Sequence, residues 1–498
     1  TLCRCHSFSN NIYKVYTMKL KSLYTGALAL AVLCLTSCSD WFDVSPKTNI
    51  KAEELYETPE GFESALAGIY ILLTDDDCYG HDMSFGLIDQ LAQLYDRIPD
   101  GTTDREAIYQ YTQESQGYST KARMAAIWEK SYNVIANTNN FMKWLNKNGQ
   151  RVLRNEQTRN MYYGEAYAMR AFLHFDLLRA WGPMDYQAGK QNLSIPYRVV
   201  ADNTKQPRLA AETVVGKIID DLKQAEQYLA FEKNTSLSGN ERRNRLNYYA
   251  VKALQARVYC YAGDAENAIS CANEVINHCG LTLQTSNSND PAQFNEALFA
   301  IYKYKMSDRF SSYFAEGPDF TTQYWISLQN YKRIFEAEGN ERDADFRARR
   351  GAGVYVYDGV SRVITRKYLK NDQSIIPLVR LPEMYYILCE MSPLSDAPQY
   401  INNVRSHRGI SRSNAYSSFA NDAARTAALS KEYRKEFYAE GQYFYFLKHH
   451  GIKTLDYSHE ANTEATVTMN EQRYVFPLPD REKEYGWTDE ESNNTSND

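Results

Sequence analysis

The spacing of hydrophobic positions along the chain predicts a mainly helical protein. Apolar side chains recur every three to four residues, as on one face of an α-helix. The segments with this pattern are Ala122–Leu145, Thr158–Trp181, Thr213–Leu229, Asn247–Ala262 and Ala265–Asn277. A further helix is expected to begin at Thr58-Pro59, because threonine caps a helix well and proline suits its first turn.

Two segments have the spacing of a tetratricopeptide helix pair. Small residues recur in Ala250–Ala262 and Asp264–Ile276, which lets two antiparallel helices approach closely, and Gly263-Asp264 supplies a tight turn. Thr158–Trp181 and Thr213–Leu229 are expected to form another pair across a loop. Additional helices are predicted at Leu381–Met391, Gln399–Arg408 and Ser430–His449.

The stretch Leu281–Val379 differs from the helical segments. It mixes loop residues with a predicted hairpin, in which Val354–Tyr357 and Val360–Tyr368 are joined at Asp358-Gly359. Thr74–Tyr118 also breaks into loops. The predicted fold class is therefore mostly α: a tetratricopeptide-like helical scaffold with long loops and a small insertion that contains a β-hairpin.

The N-terminal region has the pattern of an exported lipoprotein. Lysines at 19 and 21 precede an apolar run that ends at Leu35-Thr36-Ser37-Cys38, which predicts a signal peptide over 18–37. The run resembles a bacterial lipobox, which would make Cys38 the acylated first residue of the mature chain. The alternative is a plain cleaved signal followed by a chance cysteine. Residues 1–17 are interpreted as a gene-model extension, 38–487 as one helical domain with its insertion at about 281–379, and 488–498 as a disordered tail.

Composition and charge limit the classes of partner. The net charge is −6 and no stripe of lysine and arginine is present, which argues against nucleic acid. No second apolar run has membrane-spanning length, so Cys38 is the one predicted membrane contact. The chain contains 40 tyrosines against 20 phenylalanines, and a tyrosine ring has a flat apolar face with a polar tip. Such rings suit either partly solvent-exposed ligand sites or the packing of helices against one another.

Motifs for catalysis, cofactors and metals were not found. His-Glu-x-x-His, Gly-x-Ser-x-Gly and the phosphate-binding loop are absent from the sequence. His449-His450 diverge by about 100° on a helix, so no metal site is predicted from them, and no cofactor is expected. Asp75-Asp76-Asp77 fails the EF-hand pattern, which leaves a looser cation site or a solvated helix end open. The 62 acidic residues always offer carboxylate pairs, so a glycosidase is not excluded.

The remaining cysteines fit no zinc or redox spacing. Most are expected to be buried thiols on helices. A Cys271–Cys279 disulfide stays open, since Cys279 would sit just past a helix end.

The candidate ligand-binding residues are aromatic. Two runs, Phe310–Phe314 and Phe320–Trp325, make the densest aromatic loop, and Tyr95 lies in the earlier loop region. Flat rings stack on the apolar faces of sugars while polar side chains bind the hydroxyls. The alternative is that the rings pin long loops to the scaffold. The predicted ligand-binding set is Tyr95, Tyr313, Phe320, Tyr324 and Trp325, with Trp325 offering the largest face.

Four sequence blocks, in order, resemble one family. They are Gly164–Gly182, Arg380–Met391, Tyr400–Ile410 and 432–448, followed by Phe476–Pro479. Together with the lipobox they resemble the SusD/RagB family of outer-membrane nutrient-binding lipoproteins of the Bacteroidetes type. One departure occurs at Gly441–Leu447, where aromatics replace the arginine and aspartate of the usual pattern. We interpret it as a change in packing, because losing both members of an ion pair leaves no charge without a partner.

The resemblance implies a function. Such a protein would be anchored to the outer membrane by a lipid at Cys38, facing the exterior. It would bind oligosaccharides without catalysis and deliver them to a SusC-like TonB-dependent transporter. Three alternatives stay open: the same fold capturing peptides, a secreted glycosidase, or a structural lid on a porin that binds no substrate itself.

Overall fold

The computed structural model describes residues 52–96, 108, 111, 118–286, 289–314, 324–336, 345–349, 353–357, 362–368, 374–457 and 465–485. Cys38, Phe320, the predicted turn at Asp358-Gly359 and the C-terminal tail lie outside these residues. By its contacts the chain divides into two units, Thr1–Leu55 and Tyr56–Asp498. The short helix Ala52–Leu55 belongs to the first unit, and the elements from residue 56 onward belong to the second.

Helices predominate, which confirms the predicted fold class. The helices are α1 (Ala52–Leu55), α2 (Pro59–Leu72), α3 (Leu87–Leu91), α4 (Tyr118–Val152), α5 (Glu156–Trp181), α6 (Tyr186–Gly189), α7 (Ala211–Tyr228), α8 (Tyr248–Ala262), α9 (Ala265–His278), α10 (Met306–Ser311), α11 (Leu328–Phe335), α12 (Leu381–Met391), α13 (Ala397–His407), α14 (Asp422–Glu436), α15 (Tyr443–His449), α16 (Glu471–Tyr474) and α17 (Asp480–Tyr485). Among the residues described, none of these helices is both long and apolar enough to cross a membrane.

The strands form small antiparallel sheets. They are β1 (Ala297–Tyr302), β2 (Ile326–Ser327), β3 (Val354–Tyr357), β4 (Arg362–Thr365), β5 (Ile375–Arg380), β6 (Thr454–Tyr457) and β7 (Ala465–Thr468). β3 pairs with β4, as the predicted hairpin requires, and β2 joins on the other side of β4. The pairs β1–β5 and β6–β7 were not predicted from the sequence.

The predicted helix pair around Gly263 is confirmed. Asn247 caps α8 by accepting a hydrogen bond from the Ala250 amide at 3.0 Å. Gly263 ends the helix in the left-handed region (φ 76°), where glycine bears no Cβ penalty. Asp264 then caps α9 by accepting from the Asn267 amide at 3.2 Å. The small residues and the turn therefore place α8 and α9 side by side.

The second predicted pair, α5 with α7, is held by a buried ion pair as well as by apolar packing. Arg170 on α5 donates from Nε and Nη2 to the two carboxylate oxygens of Asp221 on α7, each at 2.7 Å. Both side chains are buried, and Tyr197 donates its hydroxyl to the same carboxylate at 2.5 Å. A bidentate geometry of this kind fixes the register of one helix against the other.

The segment Ser430–His449, which was predicted to supply further helices, is divided between two of them. The structure has two helices, α14 and α15, with a break between them at which Ala439 and Gly441 have φ of 63° and 71°. A Cβ on Gly441 would lie 2.4 Å from the backbone oxygen of Met83, so only glycine fits there. The Gly441 amide also donates to Asp89 at 3.0 Å. A contact with a distant segment thus ends the helix, which local periodicity does not reveal.

A buried ion network links three of the four sequence blocks. Glu436, at the end of α14, accepts hydrogen bonds from Arg347, Arg380 and Arg408 at 2.7–2.9 Å. The network as a whole pairs six basic side chains with six carboxylates, nearly all buried. Its members are Arg347, Lys367, Arg380, Arg405, Arg408 and Lys435 with Glu296, Glu336, Asp345, Glu432, Glu436 and Glu440. The charged residues of these blocks therefore build the interior of the protein.

Cys271 and Cys279 are both buried free thiols, so the disulfide left open above is not formed. Cys78, Cys260 and Cys389 are likewise buried and free, as expected of thiols that pack inside the fold.

Candidate functional site

Three of the predicted ligand-binding rings come together in one stack. Tyr95 and Tyr324 are stacked with ring centroids 4.7 Å apart and planes 10° from parallel. Tyr313 stacks on Tyr324 at 5.4 Å, and His81 stacks on Tyr313 at 4.5 Å. We call His81, Tyr95, Tyr313 and Tyr324 the aromatic layer. It joins the loop after α2 to the segments around α10 and β2, which are far apart in the sequence.

The aromatic layer is mostly interior. Tyr95 is 2% exposed and Tyr324 is 8% exposed, whereas Tyr313 is half-buried. The Tyr95 hydroxyl donates to the backbone oxygen of Phe85 at 2.9 Å, so its polar tip is satisfied within the protein. Of these three tyrosines, Tyr313 therefore offers the most accessible ring.

A series of polar contacts holds the aromatic layer in place. The Tyr324 hydroxyl and His81 Nε2 are 2.9 Å apart, and His81 Nδ1 lies 2.7 Å from Asp82 Oδ1. Arg123 donates to both oxygens of Asp82. Burial by itself would raise the pKa of Asp82, but the His81 hydrogen bond and the Arg123 charge outweigh it and lower the pKa to about 2. Asp82 is therefore a carboxylate that fixes His81 and, through it, the ring stack.

Trp325 does not present an open face. It is 2% exposed, and the guanidinium of Arg362 lies over its ring at 4.0 Å from the centroid. Its backbone oxygen accepts from the Asp96 amide at 2.9 Å, which ties the segment to the loop after α3. Trp325 is thus placed as a packing residue. Contact of Tyr95, Tyr313, Tyr324 or Trp325 with a ligand stays a prediction.

Two exposed tyrosines were missed by the sequence analysis. Tyr302, at the end of β1, is 56% exposed and Tyr304 is 73% exposed. We call them the surface tyrosines. The signal was the alternation Tyr302-Lys303-Tyr304 after a strand, but β1 itself was not predicted. Tyrosine is enriched at interfaces, because its ring has an apolar body and a polar tip.

An ion bridge links Lys303, which lies between the surface tyrosines in the sequence, to Arg309 beside Tyr313. Lys303 donates to Asp76 Oδ1 at 3.1 Å, and Arg309 donates to the other oxygen of Asp76. The guanidinium of Arg309 lies 5.6 Å from the centroid of the Tyr313 ring. Rings and charged hydrogen-bonding groups therefore share one region of the surface, which is the combination that polar ligands with apolar faces require.

The acidic run at 75–77 is engaged in ion pairs. Lys130 binds Asp75, and Lys303 and Arg309 bind Asp76. Burial first, and neighbouring carboxylates such as Asp82 second, raise the pKa of Asp77. These contacts account for Asp75 and Asp76 without a bound cation, and they tie the loop to α4 and to the segment after β1.

Comparison with known proteins covers both sequence and fold. Residues 40–260 match the SusD-like family model described as "Starch-binding associating with outer membrane". SusD-like protein P38 of Formosa agariphila is 24% identical over 277 residues, which are 54% of this chain and 48% of that protein. A SusD-like protein of Bacteroides ovatus is 25% identical over 281 residues, 54% of this chain and 46% of that protein. The chain thus spans about half the length of the curated relatives that it matches.

Solved structures share the fold over most of the chain. A SusD superfamily protein from Bacteroides thetaiotaomicron superposes with a TM-score of 0.68 at 20% identity, covering 86% of this chain and 98% of that one. A laminarin-binding SusD-like protein superposes with a TM-score of 0.62 at 15% identity, covering 86% and 98%. The chain is therefore similar in sequence to SusD-like proteins over about half of its length, and it shares the fold of the solved SusD-like structures over most of it.

Proposed function

We propose that this protein is a non-catalytic lipoprotein of the outer membrane that binds oligosaccharides and delivers them to a SusC-like TonB-dependent transporter. The observation that carries the binding proposal is the pair of surface tyrosines beside the Lys303–Asp76–Arg309 bridge. The rings supply stacking faces for sugar rings, and the charged groups supply donors and acceptors for hydroxyls. The half-buried Tyr313 extends the same surface toward the aromatic layer.

The comparisons support a glycan rather than another ligand. The matching family model is described as starch-binding, and one structural neighbour is named for laminarin binding. Starch is an α-linked and laminarin a β-linked glucose polymer, so these two glycans are the first ligands to test. A polysaccharide from another source, or a peptide, would be found by testing the protein against a broader panel of ligands.

The test of binding without catalysis uses the purified protein lacking residues 1–38. We expect it to be retarded in a native gel that contains laminarin or starch, and to release no reducing ends from either during long incubation. Binding to peptides but to no glycan in a broader panel would favour the peptide alternative. Release of oligosaccharides, lost on replacing a pair of carboxylates, would establish a glycosidase instead.

The anchor at Cys38 is tested in the cell. Cys38→Ala is expected to abolish palmitate labelling and to release the protein from the membrane fraction, because the cysteine that directly follows the signal peptide is the acylated residue of a lipoprotein. Ser37→Ala, which keeps the cysteine, is the matched control. Unchanged labelling in Cys38→Ala would refute the lipid anchor, and failure of the protein to co-purify with a SusC-like transporter would refute the partnership.

A further inference from the structure

Three potential metal ligands from three helices meet beside an internal cavity. Cys260 lies near the end of α8, Glu390 near the end of α12 and His449 at the end of α15. One ligand atom of each, the thiol sulfur, a carboxylate oxygen and an imidazole nitrogen, lies within 4.8 Å of the other two. The residues are far apart in the sequence, so no motif predicts the cluster, and only the fold assembles it.

The spacing of nitrogen and oxygen in this cluster fits a shared cation. His449 Nε2 lies 3.4 Å from Glu390 Oε1, beyond the usual 2.7–3.2 Å of a hydrogen bond. Around a tetrahedral zinc ion, with ligand bonds of about 2.0–2.1 Å, nitrogen and oxygen ligands are roughly 3.3 Å apart. His450 Nε2 lies at the same 3.4 Å from Glu390 Oε1. His449 and Glu390 thus lie at the separation expected of two ligands on one ion.

The surroundings provide polar atoms that lack partners. Among the residues that the structure describes, His449 Nδ1 and His450 Nε2 are buried atoms without a hydrogen bond, as is the Tyr261 hydroxyl. Tyr261, with Cys260, Glu390 and His449, lines a cavity between the helices. Unsatisfied buried polar atoms are rare in native proteins, and the two on residues that line this cavity, His449 Nδ1 and the Tyr261 hydroxyl, indicate an occupant that the protein atoms alone do not supply.

The cluster is enclosed but reachable. The Glu390 side chain is 10% exposed, and that of His449 is 25% exposed, so an ion can enter past the imidazole. The cavity would leave one coordination position open, since Cys260, Glu390 and His449 supply three ligands. Three protein ligands with an open fourth position is a known arrangement for zinc.

The donor types decide which ion fits. A thiolate, an imidazole and a carboxylate match Zn²⁺ and related transition metals, whereas Ca²⁺ and Mg²⁺ require oxygen ligands. The thiolate and carboxylate together neutralise a divalent ion. We propose that Cys260, Glu390 and His449 bind one Zn²⁺ ion and so join α8, α12 and α15. On binding, sulfur–metal bond formation displaces the Cys260 proton to solvent, so one proton is released per ion.

The test is a titration of the metal-free protein with Zn²⁺ against a chromogenic chelator. One equivalent is expected to bind, and Co²⁺ in its place is expected to give the near-ultraviolet charge-transfer band of a cobalt–thiolate bond. Cys260→Ser and His449→Gln should each weaken Zn²⁺ binding on the order of 10- to 100-fold or more, since even outer partners of metal ligands are worth that much. Cys271→Ser, which removes another buried thiol, should bind like the original protein.

Several results would overturn the proposal. They are the absence of stoichiometric zinc binding, a cobalt complex without the thiolate band, and unchanged affinity in both ligand variants. Should Cys260→Ser fail to fold by circular dichroism, His449→Gln, at a side chain that is 25% exposed, and the isosteric Glu390→Gln decide the question in its place. Zinc binding here is independent of the glycan surface, so either proposal can fail while the other stands.

Discussion

Replacing Glu436 by glutamine is expected to lower the free energy of unfolding by about 3–5 kcal/mol, the range seen when one partner of a buried ion pair is removed. Glu436 is completely buried and accepts from Arg347 at 2.9 Å, from Arg380 at 2.7 Å and from Arg408 at 2.7 and 2.9 Å. Burial by itself would raise the pKa of Glu436, but Arg408 and Arg380 hold it well below its usual range. The group is therefore ionised throughout ordinary pH.

The magnitude follows from what the substitution leaves behind. Glutamine has the same shape, so no cavity is created, but its single oxygen is uncharged and its amide group is a donor facing arginine donors. Each lost hydrogen bond to a charged group costs roughly 1.5–3 kcal/mol. Glu296 still pairs with Arg380 and Arg408, and Glu432 with Arg347, so the loss from three arginines is partial. The expected cost is thus a large fraction of a typical total stability of about 5–15 kcal/mol.

Urea unfolding followed by tryptophan fluorescence measures this cost. The matched control is Glu266→Gln, which changes an exposed glutamate in the first turn of α9 and should shift stability by no more than about 0.5 kcal/mol. The double variant Glu436→Gln with Arg408→Gln should lose less than the sum of the two single changes, because it removes both charges of a pair. A loss under about 1 kcal/mol in Glu436→Gln would refute the view that this network holds the interior together.

Three further predictions concern stability. His174 is buried with its Nε2 accepting from the Arg198 amide at 3.0 Å, and burial lowers its pKa to about 3. In the unfolded chain the same imidazole binds a proton with its usual pKa of about 6.5. The free energy of unfolding should therefore fall as pH drops, by up to about 1.4 kcal/mol per pH unit between pH 6 and pH 4. In urea titrations across that range, His174→Gln should show a pH dependence of the unfolding free energy that is smaller by one proton. Trp325→Ala should destabilise the fold by about 3–5 kcal/mol in the same assay, as expected for a buried tryptophan, and an unchanged melting temperature would mean that the ring is not packed as described. Gly441→Ala should cost clearly more than Gly451→Ala, because both have positive φ but only the first places its new Cβ 2.4 Å from a backbone oxygen; equal melting temperatures for the two variants would contradict the close approach.

The helical scaffold could be predicted because its signals are local. Periodic apolar positions, the cap at Thr58 and the turn at Gly263 act within a few residues, and the structure has Thr58 accepting from the Gly61 amide at 3.1 Å. The break before α15 could not be predicted, because Gly441 is forced into the left-handed region by a loop far away in the sequence. β1 and β5 were missed for the same reason, since each strand depends on a distant partner.

The candidate site was only partly predictable. Aromatic composition indicated Tyr95, Tyr313 and Tyr324, and the fold does bring these rings together. Sequence cannot separate an aromatic residue that packs from one that faces solvent, and it ranked Trp325 first although Arg362 covers that ring. The blocks that indicated the family also carry the residues of the buried ion network. Recognising them therefore identified the fold and left the ligand-binding surface to be found from exposure.

Glycan binding by the surface tyrosines is tested most directly by isothermal titration of laminarin or starch oligosaccharides into the protein and its Tyr302→Ala/Tyr304→Ala variant. Each stacked ring contributes about 0.5–1.5 kcal/mol, so removing both should weaken binding by about 1–3 kcal/mol, or roughly 5- to 150-fold. The control is Phe231→Ala, which removes a ring that is also exposed but lies on a different segment. We predict weakened binding in the double variant, with the melting temperature and the control unchanged. Full affinity in a stably folded double variant would contradict it.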